Sequence, residues 1–200
     1  VIFEPIVIDD ALPEFIFNKI QSSINDRMNM PWFYLEGTAY GDKDLINNYL
    51  YQGSFMHLFM AEYNYNSQLA PILEASLAFM AERVDVNLKR VFRIRAGLIP
   101  AVKKYLIHDP HVDGNKTAYT GLLYINDSDG DTYLYNEILD KNYNGAPEEY
   151  YVKVLNKKVT LRQKIKPKAN RFVCFDSRIY HSSSTPVLTQ NRIVINFNFD

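Results

Sequence analysis

The sequence holds a single cysteine, Cys174, so no disulfide can form within the chain. That excludes a disulfide-stapled fold and suits a reducing compartment. Charge of one sign is also missing. The formal net charge is −1, so no global field gathers nucleic acid or an acidic membrane. No apolar run approaches the length of a membrane-spanning helix. The opening "VIFEPIVIDD" is apolar but short, acidic and without a basic flank, so it does not read as a signal peptide. A cytoplasmic protein is the expectation. Glycine is scarce, at 8, whereas Tyr (15) and Phe (12) are plentiful; this balance favours strands and aromatic-lined surfaces over a flexible chain.

The apolar pattern changes along the chain. "FEPIVI" (3–8) reads as a strand. Asp9 or Asp10 is then expected to cap a helix with Pro13 in its first turn, and Leu12, Ile16, Ile20 and Ile24 give it an apolar stripe. Residues 30–56 read as a long structured loop with short strands, of the kind that carries function. A second helix is expected over 67–83. From residue 87 alternation takes over, with strands expected at 90–99, 117–125, 131–136, 148–155, 157–165, 171–175 and 192–199. Helices first and strands after predict helices packed on one side of a β-barrel or sandwich.

The chemistry concentrates in "HDPHVDGN". His111 and Asp113 are two residues apart, a spacing that puts both side chains on one face of an extended segment. His181 lies downstream after an apolar strand. Two histidines and one carboxylate form the facial triad of non-haem Fe(II) oxygenases, which leaves coordination positions open. Arg192 begins the strand "RIVINFNF", and an arginine beside such a metal suits the distal carboxylate of a 2-oxo acid.

These residues resemble the 2-oxoglutarate- and Fe(II)-dependent dioxygenases, particularly their prolyl 4-hydroxylase-like branch. "PIVIDDALPEFIFNKI", "HVD", "GLLYINDSDGDTYLY", "NRFVCFDSRIYHSSSTPV" and "NRIVINFNF" are similar to that family's segments in type, order and spacing. The resemblance implies a mainly β fold with flanking helices: a double-stranded β-helix, the jelly-roll or cupin-like barrel, with N-terminal helical support. It implies one domain over 1–200, with 1–86 supporting a core of 87–200. It implies His111, Asp113 and His181 as iron ligands and catalytic residues, and Arg192 and Tyr124 as co-substrate-binding residues. Tyr105 matches a further co-substrate tyrosine poorly. The implied cofactors are Fe(II), 2-oxoglutarate and O2, with ascorbate as a candidate reductant. The implied reaction hydroxylates a C–H bond and converts 2-oxoglutarate to succinate and CO2. Its substrate would be a protein or peptide, peptidyl proline first, or a small molecule. A nucleic-acid or free amino-acid oxygenase, or a non-catalytic metal-holding module, is the alternative. No membrane partner is expected, nucleic acid is disfavoured, and the oligomeric state is open.

Other features read more plainly. His108 is expected beside the site and not as a ligand, because Pro110 breaks the extended run. His57 and Cys174 read as packing residues. "DSDGDTYLYNE" departs from a calcium loop and reads as a hairpin turn. Arg162, Lys164, Lys166 and Lys168 read as the solvated face of a strand. The 30–56 loop, with Trp32, Tyr34 and Tyr40, and "LDKNYNGAPEEY" are candidates for a lid over the site.

Overall fold

The computed structural model describes residues 2–26, 28–37, 53–113 and 117–200. Among these, eight strands form one antiparallel sheet and three form a second, smaller one. The strands are β1 (Ile6–Ile8), β2 (Phe33–Leu35), β3 (Ser54–Ala61), β4 (Asn64–Tyr65), β5 (Val91–Pro100), β6 (Tyr119–Tyr124), β7 (Thr132–Ile138), β8 (Leu161–Ile165), β9 (Phe172–Asp176), β10 (Ile179–Ser183) and β11 (Asn191–Phe199). The large sheet runs β1-β9-β6-β11-β5-β3-β2, with β4 beside β3, and the small one runs β10-β7-β8. This is the mainly β, double-stranded β-helix architecture, with helices against the outer face of the large sheet.

Strand parity explains the layering. Side chains alternate across a sheet. On β5 and β11 one set, Ile94, Ala96, Ile193, Ile195, Phe197 and Phe199, enters the main apolar core. That core also takes Phe17, Ile20 and Ile24 of α1 (Glu14–Ile24) and Leu73, Leu77 and Met80 of α2 (Ala70–Arg83). The other set faces the inside of the barrel. Among the described residues no helix is long and apolar enough to cross a membrane.

The α1 entry differs from the sequence-based expectation. Neither Asp9 nor Asp10 caps it; Pro13 occupies the cap position without a side-chain bond. Asp9 instead pairs with Arg171 and Lys168. The chain before the helix is clamped by Asn170, whose amide accepts from Leu12 N and donates to Leu12 O, at 2.9 and 2.8 Å.

Residues 148–155 also depart from expectation. They form a short helix, α3 (Pro147–Glu149), that continues as a wider π-type turn over Tyr150–Val154. Pro147 opens the turn with a preset φ, Glu148 and Glu149 suit a helix N-terminus, and Lys153 meets Glu149 four residues back at 3.1 Å. These start signals outweigh the β-branched alternation in "YVKV". The segment "DSDGD" is not a hairpin turn either. It carries the chain from β6 in the large sheet to β7 in the small one. Asp129 anchors it by accepting the backbone N–H groups of Val187, Leu188 and Thr189.

Three of the four basic residues of the β8 stripe are paired with carboxylates. Arg162 pairs with Glu4, Lys164 with Asp131 at 2.8 Å and Lys168 with Asp9 at 3.0 Å. Cys174 is buried in the core, and burial pushes its thiol up to about 12. His57 is buried on β3, with Nδ1 2.8 Å from Pro31 O and its ring against Phe59. Both behave as packing residues.

Candidate metal centre

A short β-bridge brings the two histidines together across seventy residues of sequence. His111 N donates to His181 O at 2.9 Å and His181 N donates to His111 O at 2.8 Å. In such a reciprocal antiparallel pair both side chains leave on one side, and the imidazole centroids lie 4.6 Å apart. β10, which carries His181, is a strand where the alternation predicts none between 175 and 192. Asp113, two residues past His111, turns its carboxylate to the same point. One ligand atom from each of His111, Asp113 and His181 lies within 4.8 Å of the others.

The protonation pattern suits a cation. His111 Nδ1 is 3.3 Å from Asp109 O and His181 Nδ1 is 3.0 Å from Ile179 O. A carbonyl only accepts, so Nδ1 carries the hydrogen in each ring and Nε2 presents its lone pair inward. Burial, helped by His181, holds the His111 imidazole down to about 4, so it is neutral at neutral pH. The Asp113 side chain is 2% exposed. Burial alone would raise its carboxyl, but His181, Arg95, Arg93 and His111 outweigh burial and hold it well below the usual carboxylate range. His181 Nε2 and Asp113 Oδ2 stand 3.7 Å apart. Inward lone pairs and a carboxylate converging this way are the donor set that a divalent iron takes.

Asp113 is also held from behind. Its Oδ2 accepts from Asn196 Nδ2 at 2.7 Å, Thr120 Oγ1 at 3.2 Å and Asn198 Nδ2 at 3.3 Å. Arg93 Nη2 lies 3.4 Å from Oδ1 and Arg93 Nε donates to Asn198 Oδ1 at 2.9 Å. These residues are not among those that the motifs single out. The available signal was parity: Asn196 and Asn198 share the β11 face of Arg192, and their antiparallel partners on β5 are Arg95 and Arg93.

Arg192 sits four residues before Asn196 on the same face, about 13 Å along the strand. A cavity joins the two ends, lined by His111, His181, Thr132, Arg192, Leu122 and Val194 among others. The guanidinium is buried and its direction is set: Nε donates to Gly130 O at 2.9 Å and Nη2 to Thr132 Oγ1 at 2.8 Å. Gly130 is needed for this approach, because a Cβ there would meet Ser184 O at 2.7 Å. Tyr124 lies fully buried behind, its ring 5.6 Å from the guanidinium, and its hydroxyl donates to Thr132 Oγ1 at 2.7 Å. Thr132 Oγ1 therefore accepts twice, which leaves its own hydrogen to donate. Thr132 lines the cavity.

Other candidates lie apart from this axis. His108 is buried, with Nδ1 2.9 Å from Ser183 Oγ, and braces β10 two residues beyond His181; it is not among the converging ligands. Tyr105 bonds Tyr133 and Asp131 and accepts from Ser184 Oγ at 2.9 Å. Leu35, Ser54, Phe55 and Met56, from the two ends of the 30–56 segment, line the cavity. Trp32 packs on the core and Tyr34 meets Phe55 edge-on, while Tyr40 lies outside the described residues. Tyr143 and Tyr150, from "LDKNYNGAPEEY", join an aromatic cluster around Tyr180.

Comparisons with known proteins bear on the fold and the family. No curated protein sequence matches the chain. Among solved structures, the non-haem α-ketoglutarate-dependent epimerase SnoN from nogalamycin biosynthesis superposes with a TM-score of 0.60 at 13% identity, over 98% of this chain and 77% of that one. A Pseudomonas putida prolyl-4-hydroxylase gives 0.56 at 12%, over 98% and 92%. A prolyl hydroxylase from Trichoplax adhaerens, in complex with a hypoxia-inducible-factor peptide, gives 0.52 at 16%, over 98% and 83%. At such identities the likeness speaks for the fold. The family model of the 2OG-Fe(II) oxygenases matches residues 101–200, half of the chain, a stretch that contains His111, Asp113, His181 and Arg192. The chain belongs to the 2OG-Fe(II) oxygenase superfamily.

Proposed function

We propose that the chain, working as one catalytic domain, hydroxylates a C–H bond of a peptide or small molecule in a reaction dependent on 2-oxoglutarate and Fe(II). The observation that carries this reading is the pairing of two sites in one cavity: a His111–Asp113–His181 donor set and, four strand residues from the Asn196 that holds Asp113, the buried Arg192. His111, Asp113 and His181 would hold iron, which with bound 2-oxoglutarate supplies the oxidising chemistry and releases succinate and CO2.

The chain's own groups do the rest. Arg192 and the Thr132 hydroxyl receive the distal carboxylate of the co-substrate, one as a charged donor and one as a neutral donor. Tyr124 sets the Thr132 rotor and closes the floor beneath Arg192. Leu122 and Val194 line the middle of the cavity and keep water from the co-substrate's methylene groups. Asn196, Asn198, Thr120 and Arg93 orient the Asp113 carboxylate.

The motif resemblance favours peptidyl proline as substrate. Relatives on this fold include prolyl hydroxylases, an epimerase and a carbocyclase, so fold alone does not choose among substrates. The β8 basic stripe, with three of its four cations paired to carboxylates, offers little support for a nucleic-acid groove. The test is succinate release from 2-oxoglutarate with Fe(II), ascorbate and oxygen, in the presence of a prolyl peptide or small-molecule acids. Iron- and oxygen-dependent succinate, abolished in His111→Ala and reduced in Arg192→Ala, is the expected result. Metal binding with no 2-oxoglutarate consumption under any of these conditions would instead favour a metal-holding module.

A further inference from the structure

The barrel's inner face carries a third arginine that the proposed reaction does not use. Strand register puts it in place. Asn196 of β11 pairs with Arg95 of β5, and Arg95 pairs in turn with Leu58 of β3, so all three side chains point into the barrel at the level of the metal ligands. Arg192 pairs with Ile99, four residues away at the other end of the cavity. Arg95 lines the cavity, and its side chain is 29% exposed.

Its contacts contrast with those of Arg93, its neighbour on the same face. Arg93 is held by Asn198 at 2.9 Å and reaches Asp113 at 3.4 Å. Among the described residues, Arg95 has one ion pair, to Asp113 Oδ1 at 3.8 Å, which is beyond hydrogen-bond length. The charges leave a surplus. Ferrous iron and doubly ionised 2-oxoglutarate would cancel one another, and Asp113 offsets only one of the three inner-face arginines, with Arg93 nearest to it. The guanidinium of Arg95 lines the cavity and shares its one anion, Asp113, with the nearer Arg93. A partly buried guanidinium fork in that position suits a bidentate oxyanion.

Two neighbours sharpen the picture. Asn196 must turn its Nδ2 to the acceptor-only Asp113 carboxylate, which points its Oδ1 the other way. That oxygen is buried and has no hydrogen-bond partner among the described residues. It offers an acceptor beside Arg95. Gly97, next on the same face of β5, would place a Cβ with nothing within 4 Å, so there is room at Arg95's side.

We propose that Arg95 docks a carboxylate of the substrate and that Asn196 Oδ1 accepts an N–H or O–H group adjacent to it. The substrate class is then an acylated or free amino acid, or a chain-terminal residue, with its carboxylate unblocked. An internal prolyl residue of a longer peptide offers no such group. This inference rests on the proposed function, since it takes iron and 2-oxoglutarate to fill the rest of the cavity.

The test uses calorimetry on the full chain loaded with Mn(II) and saturating 2-oxoglutarate in the absence of oxygen. L-alanine, N-acetyl-L-alanine and their carboxamides are the probes, with N-acetyl-L-proline as the acid that has no N–H for Asn196 and phenyl phosphate as a second oxyanion. The acids are expected to bind at least about tenfold more tightly than their amides. Arg95→Met should erase that ratio and Arg95→Lys should restore part of it, while 2-oxoglutarate affinity stays within about twofold. Perturbation of the Mn(II) electron-spin signal by the acids would place them beside the metal. Amides equal to acids, no binding of any acid, or an unchanged ratio in Arg95→Met overturns the proposal. Phenyl phosphate binding above every acid would reassign the site from carboxylate to phosphate, and a large loss of 2-oxoglutarate affinity in Arg95→Met would make Arg95 a co-substrate anchor. Failure of the wild type to bind 2-oxoglutarate at all strikes the proposed function instead, so the two failures are distinguishable.

Discussion

Odd and even residues of β11 occupy different worlds. Ile193, Ile195, Phe197 and Phe199 lie in the main core with the helices. Arg192, Val194, Asn196 and Asn198 face the barrel interior, and three of those four side chains carry polar contacts to the site. On β5 the parity is reversed, with Ile94 and Ala96 in the core and Arg93 and Arg95 inward. One nine-residue strand therefore serves two purposes without compromise at any position. Apolar burial is non-directional and stabilises the fold, whereas the inner face spends its positions on directional polar contacts. Adjacent residues should then fail in different ways.

The largest effect on the fold is expected on the core face. Phe197→Ala should lower unfolding free energy by about 3–5 kcal/mol, read from urea denaturation, with metal affinity per folded molecule little changed. His181→Ala should do the reverse. Its turnover and metal binding should be lost while cooperative unfolding persists, as followed by calorimetry with Mn(II). If both variants lost stability and metal affinity together, the division between faces would be wrong.

Arg192→Ala tests the other end of the inner face. It should weaken 2-oxoglutarate by about 1.5–3 kcal/mol, roughly tenfold to a hundredfold, measured by titration with Mn(II) present. Asn198→Ala sits next to Phe197 and should lower metal affinity about tenfold to a hundredfold through the freed Asp113 carboxylate. Its stability cost should stay well below that of Phe197→Ala.

The same division predicts a pH dependence of the metal-free protein. The His111 imidazole is moved from its ordinary 6.5 to about 4, chiefly by burial. The unfolded chain therefore binds the proton more readily than the native one between those values. The native state's advantage is fully present above pH 6.5 and is lost as pH falls toward 4. The urea midpoint should decline across that window, and His111→Gln should flatten the decline.

Much of this was legible in the chain, and the reasons differ by feature. Alternation marked most strands because a half-buried sheet imposes a period of two. The spacing of His111 and Asp113 put them on one face, and only together with His181 and Arg192 downstream did it read as a metal site. His181 and Arg192 were readable from type and order. The short helix at 147–154 was not, because β-branched and aromatic residues pull one way while Pro147 and the i, i+4 pair pull the other. The passage of "DSDGD" between sheets was hidden because a turn's residues do not say which strand the next one joins. The anchor of that passage, Asp129, bonds residues about sixty positions away.

By itself the sequence determined residue types, their parity on each strand and a candidate ligand set of two histidines and a carboxylate. These are local properties, set by chain geometry and side-chain chemistry. Only the tertiary structure decided that His111 and His181 would be cross-strand partners, that Thr132 would share its oxygen between Arg192 and Tyr124, and that Arg95 would stand next to Asn196 at the metal end. Those facts depend on strand register between distant segments. A slip of one residue would turn every one of those side chains to the opposite face, and the large apolar set on the other side of the sheet is what forbids the slip.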